Sequence, residues 1–292
     1  MVVPNLDQGR FLEEALRSLL LQGYPKLRVA VMDGGSRDES AAVMARYAPW
    51  LAHAVSGPDG GQAEAINRGL AAVPGELCGW LNADDLLLPG ALWRVGAQLA
   101  AYPDAPWIAG HGVFLGEGGR GPVRLCEARA FDLDGLLDYG GGHFLAQPSV
   151  FFARRLWERV GGLDPALRYA LDLDLWLRMR AHAAISVLPV ALSLLRQHRE
   201  AKTFRDNERA MREVRSVVAT HARGRTFAVR ARALAHMQTR IARGACRAAQ
   251  ESVTPLARVA ALGRALCAYP PIAATPAFAR AALGGPRPVR PR

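Results

Sequence analysis

Across residues 9–21 apolar side chains fall at Phe11, Leu12, Ala15, Leu16, Leu19 and Leu20, the spacing of one helix face. Met1-Val2-Val3-Pro4 ahead of it reads as the end of a strand. Residues 27–32 form a β-rich apolar run that stops at Asp33-Gly34-Gly35-Ser36, and a helix over 39–47 followed by a short strand over 53–56 completes a βαβ pattern. After the turn Asp59-Gly60-Gly61 the pattern predicts a helix over 62–72, a strand over 77–81 and another helix beyond Pro89. Residues 145–152 read as a strand leading to Arg154-Arg155. Gly161-Gly162-Leu163-Asp164 then turns into a helix over 172–181, and a last strand over 185–195 carries Arg196-Gln197-His198 at its end. Such alternation calls for a parallel-rich sheet flanked by helices.

The strand over 77–81 delivers Asn82-Ala83-Asp84-Asp85 at its carboxyl end, where open α/β sheets place their ligands. Two adjacent carboxylates repel, and burying them together is costly unless a cation compensates. Mg²⁺ or Mn²⁺ supplies that compensation and leaves positions open for phosphate oxygens, so the string suggests a metal-diphosphate site. A solvated loop with a capping Asp ahead of Leu86-Leu87-Leu88 is the bland alternative.

Charge divides the chain. Of the net +11, residues 205–292 account for +13, from 17 Arg and 4 acids, which leaves −2 for residues 1–204. The predicted organisation is therefore a domain over 1–204 and an Arg/Ala-rich helical extension over 205–292, broken at Gly224, Gly244 and the Pro255 region and ending in a Pro-rich tail. Only Lys26 and Lys202 stand against 35 Arg, a bias that reflects base composition and is no evidence of phosphate recognition. Cys78, Cys126, Cys246 and Cys267 lack metal-ligand spacing and read as reduced core residues. Residues 181–195 and 265–279 are interrupted by His or Pro and do not read as membrane spans. Gly116-Glu117-Gly118-Gly119-Arg120-Gly121 matches G-x-G-x-x-G formally, but Pro122 follows and no helix begins there, so it reads as a hairpin turn.

Taken in order, Pro4-Asn5-Leu6-Asp7-Gln8-Gly9, Asp33-Gly34-Gly35-Ser36, Asn82-Ala83-Asp84-Asp85, Gln147-Pro148-Ser149 and Leu171-Asp172-Leu173-Asp174-Leu175-Trp176 resemble the family 2 glycosyltransferases over residues 1 to about 200. That resemblance implies a GT-A-type, Rossmann-like fold, with a mixed, mainly parallel sheet flanked by helices and a C-terminal helical extension. It also implies inverting transfer of a sugar from a nucleotide-diphosphate donor, most simply a UDP-sugar, to a hydroxyl of a saccharide or lipid-linked acceptor in cell-surface glycan synthesis. Members usually open with a longer first strand, so an abbreviated one is expected here. The double Asp common after the second strand is altered to Asp33-Gly34.

The resemblance makes Asp85 a metal ligand and Asp84 a contact to ribose or to the second metal shell, and it places His198 where some members put a ligating His, with Mg²⁺ or Mn²⁺ as cofactor. Asp172 takes the place of the base that removes the acceptor proton, with a helix cap as its bland reading. Asp174 faces elsewhere and caps the helix or orients a neighbour. Pro4, Asn5 and Asp33 would bind the nucleotide. Gln62 and Asn67 would offer amides to the diphosphate sugar, or merely cap their helix. Tyr139-Gly140-Gly141-Gly142-His143 is an acceptor-side lid or a plain surface turn.

In the basic extension, Val214, Val217, Val218, Phe227, Leu234, Met237 and Ile241 could line helices lying on an anionic membrane, or could simply pack as ordinary helices. Nucleic acid is not an expected partner, because no aromatic interleaving or recognition motif accompanies the Arg. The expected location is cytoplasmic, peripheral at the inner face of the membrane. Two other functions stay open on residues alone. One is a metal-dependent nucleotidyltransferase, which would want a Gly-rich basic loop near its N-terminus; the other is an inactive carbohydrate-binding scaffold.

Overall fold

The computed structural model describes residues 1–116, 123–198, 200–202, 206–252 and 254–283. The G-x-G-x-x-G match beyond Gly116, the boundary near residue 204 and the Pro-rich tail lie outside the described residues. The chain divides into two compact units, one of Met1–Leu133 with Phe144–Arg205 and one of Asp134–His143 with Asp206–Arg292.

The first unit opens on three parallel strands, β1 (Val2–Asn5), β2 (Ala30–Asp33) and β3 (His53–Ser56), with β2 in the centre. Three helices accompany them: α1 (Gly9–Leu20), α2 (Ser40–Tyr47) and α3 (Gln62–Ala72). Leu12, Leu16 and Leu19 of α1 are buried with Val3 of β1 and Val31 of β2, as the sequence periodicity requires. β1 has four residues, all in register with β2 from Val2–Ala30 to Asn5–Asp33.

Beyond this half the sheet is mixed. Its second part contains β4 (Leu77–Cys78), β5 (Leu86–Leu87), β6 (Trp107–Gly116), β7 (Arg124–Cys126), β8 (Val150–Ala153) and β9 (Ser186–Gln197), in the order β4-β8-β6-β9-β5 with β7 on β6. Of these, β6 and β9 run parallel and the remaining paired strands are antiparallel. Trp80 joins the two parts through a parallel bridge to Val2, with Val2 N–H donating to Gly79 O at 3.1 Å and Leu81 N–H to Val2 O at 2.9 Å.

Several boundaries depart from the sequence pattern. The run over 145–152 is not one strand: Gln147–Ser149 forms a 3-10 turn and β8 starts at Val150. Pro148 fixes its own φ and donates no N–H, so ladder pairing begins only after it. Arg154-Arg155 opens a helix, α6 (Arg154–Val160), following α4 (Ala91–Ala101) and α5 (Leu133–Leu137). The Arg154 guanidinium donates to Leu70 O, Val73 O and Gly75 O at 2.7–2.9 Å, satisfying carbonyls at and just beyond the end of α3. β6 and β7, for which the pattern gave no bounds, are antiparallel and flank the residues read as a hairpin turn.

The helix α7 (Leu171–Arg180) is held by aromatic packing. Trp176 stacks on Trp80 with centroids 5.6 Å apart and planes 19° apart, and on Trp107 at 5.8 Å, while Phe152 touches Trp80, Trp176 and Trp157. Trp80, Trp107 and Trp176 are all fully buried. Each such pair adds about 0.5–1.5 kcal/mol beyond its area burial.

The second unit contains α8 (Asn207–His221), α9 (Phe227–Glu251), α10 (Pro255–Ala268) and α11 (Pro276–Leu283). Thr226 and Thr254 cap α9 and α10 through their side-chain oxygens. α9 runs straight through Gly244, where the sequence pattern placed a break. The packing of Ala242, Cys246 and Ala249 against Ala261, Ala265 and Ile272 outweighs the roughly 1 kcal/mol helix penalty of one glycine. Val214, Val217, Val218 and Met237 are buried, so they belong to the unit's core and not to an exposed face. Tyr139 to His143 is no lid: Asp138–Gly141 forms a 3-10 turn, and a Cβ on Gly140 would come within 2.4 Å of the α9 backbone at His236 and Met237. The thiols of Cys78, Cys126 and Cys246 are buried as expected, whereas Cys267 is exposed.

Trp176→Ala is expected to lower the stability of the first unit by about 3–5 kcal/mol, read as an earlier guanidinium unfolding transition, because truncation opens a cavity against two further indoles.

Candidate active site

The loop after β1 is organised around one carboxylate. Asp33, buried at the end of β2, accepts from Asn5 Nδ2 at 2.6 Å, from Ser36 Oγ and Ser56 Oγ at 2.5 Å each, and from the backbone N–H groups of Gly35 and Ser36. Burial pushes its pKa up, but the hydrogen bonds from Ser36, Ser56 and Asn5 outweigh this and hold the carboxyl below its ordinary value. Asn5 also donates to Ser40 Oγ at 2.9 Å. Asp7 closes the loop at φ +51°, an αL conformation that Asp tolerates, with Oδ1 accepting from Arg37 N–H at 2.8 Å. Asp33 therefore orders the loop after β1, and both its oxygens are already engaged. Pro4 is buried within β1.

The acid turn sits on Trp80. Asp85 N–H donates to Asn82 O at 3.0 Å, and the next residues enter β5, paired with β9 at Leu194 and Ser193. The chain from Leu86 is thus a strand and not the capped helix of the bland alternative. Buried Asp85 accepts from Asn82 Nδ2 and from Arg196 N–H, each at 3.2 Å. Burial, and after it the adjacent Asp84 charge, push the Asp85 carboxyl well above the usual carboxylate range. Asp84 points elsewhere, its Oδ2 3.0 Å from His198 Nε2. The His198 ring lies 4.9 Å from Phe11, and its buried Nδ1 has no hydrogen-bond partner among the described residues.

These groups have the donor chemistry of a hard or borderline divalent cation: two carboxylates, one of them buried and poorly compensated, and an imidazole with an unsatisfied nitrogen. The two expected metal ligands, Asp85 and His198, have different side-chain partners. His198 meets Asp84, while Asp85 meets Asn82 and Arg196, and among the described residues no three His, Cys, Asp or Glu side chains gather to hold an ion.

An amide relay crosses the site. Gln147 Nε2 donates to Trp80 O at 2.9 Å and its Oε1 accepts from Asn82 Nδ2 at 3.2 Å. Asn82 Oδ1 accepts from Gln62 Nε2 at 2.8 Å, and Gln62 Oε1 accepts from Lys202 Nζ at 3.2 Å. Gln62 thus faces the acid turn. Asn67 does not: its amide clamps the backbone N–H and C=O of Leu163 at 2.9 and 2.8 Å, fixing the turn that precedes α7. The sequence reading gave no role to Asn82, Gln147 or Lys202. Asn82 stood in the Asn82-Ala83-Asp84-Asp85 string and Gln147 in Gln147-Pro148-Ser149, whereas Lys202 stood in none.

Asp172 is the second residue of α7, after Ala170 at the cap position, and is half-buried with Oδ1 accepting from Leu173 N–H at 2.7 Å. A carboxylate in a first helical turn is favoured by the macrodipole. Asp174 is bound by Arg178 at 2.7–2.8 Å, and Arg178 reaches Val160 O at 2.6 Å, so it orients a neighbour.

A family profile described as glycosyl transferase family 2 matches residues 1–159. The chain belongs to this family. An uncharacterized protein of Mycobacterium tuberculosis is 26% identical over 224 residues, 70% of this chain and 68% of its own. This chain spans 30% to 68% of the length of the first curated relatives it matches. Residues 1–349 of Staphylococcus aureus TarS, solved with UDP-GlcNAc, superpose with a TM-score of 0.61 at 18% identity over 91% of this chain and 80% of that one. The mannosyltransferase PcManGT of Pyrobaculum calidifontis, solved with GDP-Man and Mn²⁺, gives 0.60 at 22% identity over 97% and 78%. At these identities the likeness shows the fold, which is GT-A.

Because the Asp33 pKa is depressed in the fold, its contribution to stability is present above the ordinary value of 3.8 and is lost as pH falls through the native value. Asp33→Asn is expected to cost about 2–4 kcal/mol at pH 7, with the gap to wild type shrinking progressively below pH 3.8 in denaturant titrations. A gap independent of pH would contradict the hydrogen-bond assignment.

Proposed function

We propose that this family 2 transferase moves a sugar from a nucleotide-diphosphate donor, in the first instance a UDP-sugar, to a hydroxyl of a saccharide or lipid-linked acceptor with inversion, in cell-surface glycan synthesis. The observation that carries this reading is the common footing of acid turn and base helix: Trp80 leads into residues 82–85, and Trp176, stacked on it, lies one turn beyond Asp172.

In the reaction the acceptor oxygen forms a bond to the anomeric carbon while the bond from that carbon to the diphosphate oxygen breaks, its electron pair leaving with the diphosphate. The acceptor proton goes to the Asp172 carboxylate. Asp84, Asp85 and His198 would hold Mg²⁺ or Mn²⁺, which when bound neutralises charge on the leaving diphosphate. Asn5 and Asp33 keep the nucleotide loop in shape, with Pro4 in the strand beneath, and Gln62 presents its amide beside the acid turn. The TarS and PcManGT complexes contain nucleotide sugars, and the latter Mn²⁺, which supports the donor class.

Asp172→Asn should leave Mn²⁺-dependent binding of the nucleotide sugar intact in calorimetry while transfer falls by roughly two orders of magnitude or more. Asp85→Ala should abolish the Mn²⁺ dependence of binding. Near-normal turnover by Asp172→Asn would reject the base assignment, and an inactive scaffold would show no turnover in the wild type.

A peripheral contact with an anionic membrane is part of the same proposal, placed on α10. Leu256, Val259, Ala260, Gly263 and Leu266 form one exposed stripe there, Arg264 is also exposed, and no Asp or Glu occurs after Glu251. Among the described residues no helix is long and apolar enough to cross a membrane. The full chain should sediment with phosphatidylserine vesicles at low salt and be released at high salt. The double variant Leu256→Glu, Val259→Glu should stay in the supernatant, and equal sedimentation of both proteins would overturn the placement.

A further inference from the structure

We propose that the Lys202 ammonium binds the donor's diphosphate and ties the donor side of the site to the segment that carries Asp172. The inference rests on the nucleotide-sugar reading and adds to it a residue that no motif of the sequence marks.

Three observations lead there. Lys202 Nζ donates to Gln62 Oε1 at 3.2 Å, and the opposite end of the same amide donates to Asn82 Oδ1 at 2.8 Å. Asn82 in turn donates to Asp85 Oδ2. The ammonium is therefore connected to the buried carboxylate of the acid turn through two amides, each of which uses both its ends. Nζ also lies 5.3 Å from the centroid of the Tyr169 ring, a cation–π contact, and Tyr169 stands three residues ahead of Asp172. One cation thus touches the donor-side relay and the connection from α6 to α7 that leads to the proposed base.

The chemistry of the side chain suits this place. Diphosphate departure concentrates negative charge on phosphate oxygens whose exact directions change as the bond breaks. An ammonium is a compact point charge with three rotatable donors, and it follows such oxygens without the fixed fork of a guanidinium. In a chain with 35 Arg and two Lys, the cation at this position is the ammonium. A phosphate oxygen is a stronger partner for a full charge than an amide carbonyl, so a donor diphosphate reaching Nζ would gain a charge-assisted hydrogen bond while the Tyr169 face keeps the ammonium in place.

The test compares UDP with UMP, and GDP with GMP in parallel, by calorimetry with Mn²⁺ on the full chain and on Lys202→Met and Lys202→Arg. Lys202→Met keeps the length of the apolar stem and removes the charge, so nucleoside diphosphate affinity should fall roughly tenfold or more while monophosphate affinity stays within about twofold. Lys202→Arg retains the charge and should keep diphosphate affinity within about threefold, with kcat reduced more than KM is raised because the guanidinium fits the relay differently. Equal weakening of mono- and diphosphate by Lys202→Met would mean that the residue only shapes the site, and unchanged diphosphate affinity would mean that it does not touch the leaving group; either overturns the proposal while leaving the nucleotide-sugar reading in place. A wild-type chain that binds none of the four nucleotides overturns both.

Discussion

Trp80 lies where two parts of the sheet meet, and the contact it makes with Trp176 fixes the distance between two pieces of chemistry that are ninety residues apart in the chain. Its backbone bridges to Val2 and accepts from Gln147, its indole stacks on Trp176 at 5.6 Å, and two residues later the chain enters the acid turn. A stack of large, rigid side chains has few alternative packings, so the helix that carries Asp172 and the turn that carries Asp85 share one frame. Phe152 and Trp107 surround the stack from β8 and β6. The cost of misplacing a reacting group by an ångström is large in catalysis, which gives this inert cluster its functional weight.

Around that frame the electrostatics follow two opposite designs. Asp33 is buried with five hydrogen bonds, so its charge is satisfied by the protein alone and it holds the loop after β1 in shape. Asp85 is buried with an amide and one backbone N–H, next to a second carboxylate, and burial of a charge so incompletely matched costs several kcal/mol. The first arrangement is complete. The second asks for a cation, and the unsatisfied Nδ1 of His198 is part of the same demand.

Helical elements of the first half were legible because they are ordinary amphipathic pieces: the heptad-like spacing of Leu12, Leu16 and Leu19 locates α1, and α3 begins and ends at the residues the turn and the apolar face imply. The acid turn was legible as well, since two carboxylates after a buried strand have few structural uses. Partners were not. His198 meets Asp84, a contact set by the antiparallel register of β5 on β9, which brings Arg196 N–H to Asp85 and the residue two places on to its neighbour. The relay from Gln147 through Asn82 and Gln62 to Lys202 joins residues up to 140 positions apart, so its connections are set by the fold and not by any local string. Asn67 has the same composition as a ligand-binding amide and serves a turn. Gly244, a helix breaker by propensity, is carried inside α9 by packing that a local window does not contain.

The proposed reaction is a single displacement, with the base on one side of the anomeric carbon and the diphosphate on the other, and no side chain needed as a covalent carrier. The anomeric configuration of the product, read from its proton coupling constant in NMR after reaction with an α-linked nucleotide sugar, tests this most directly. A β-linked product is the predicted result; an α-linked product would require two displacements and would contradict the assignment of Asp172 as the base of one.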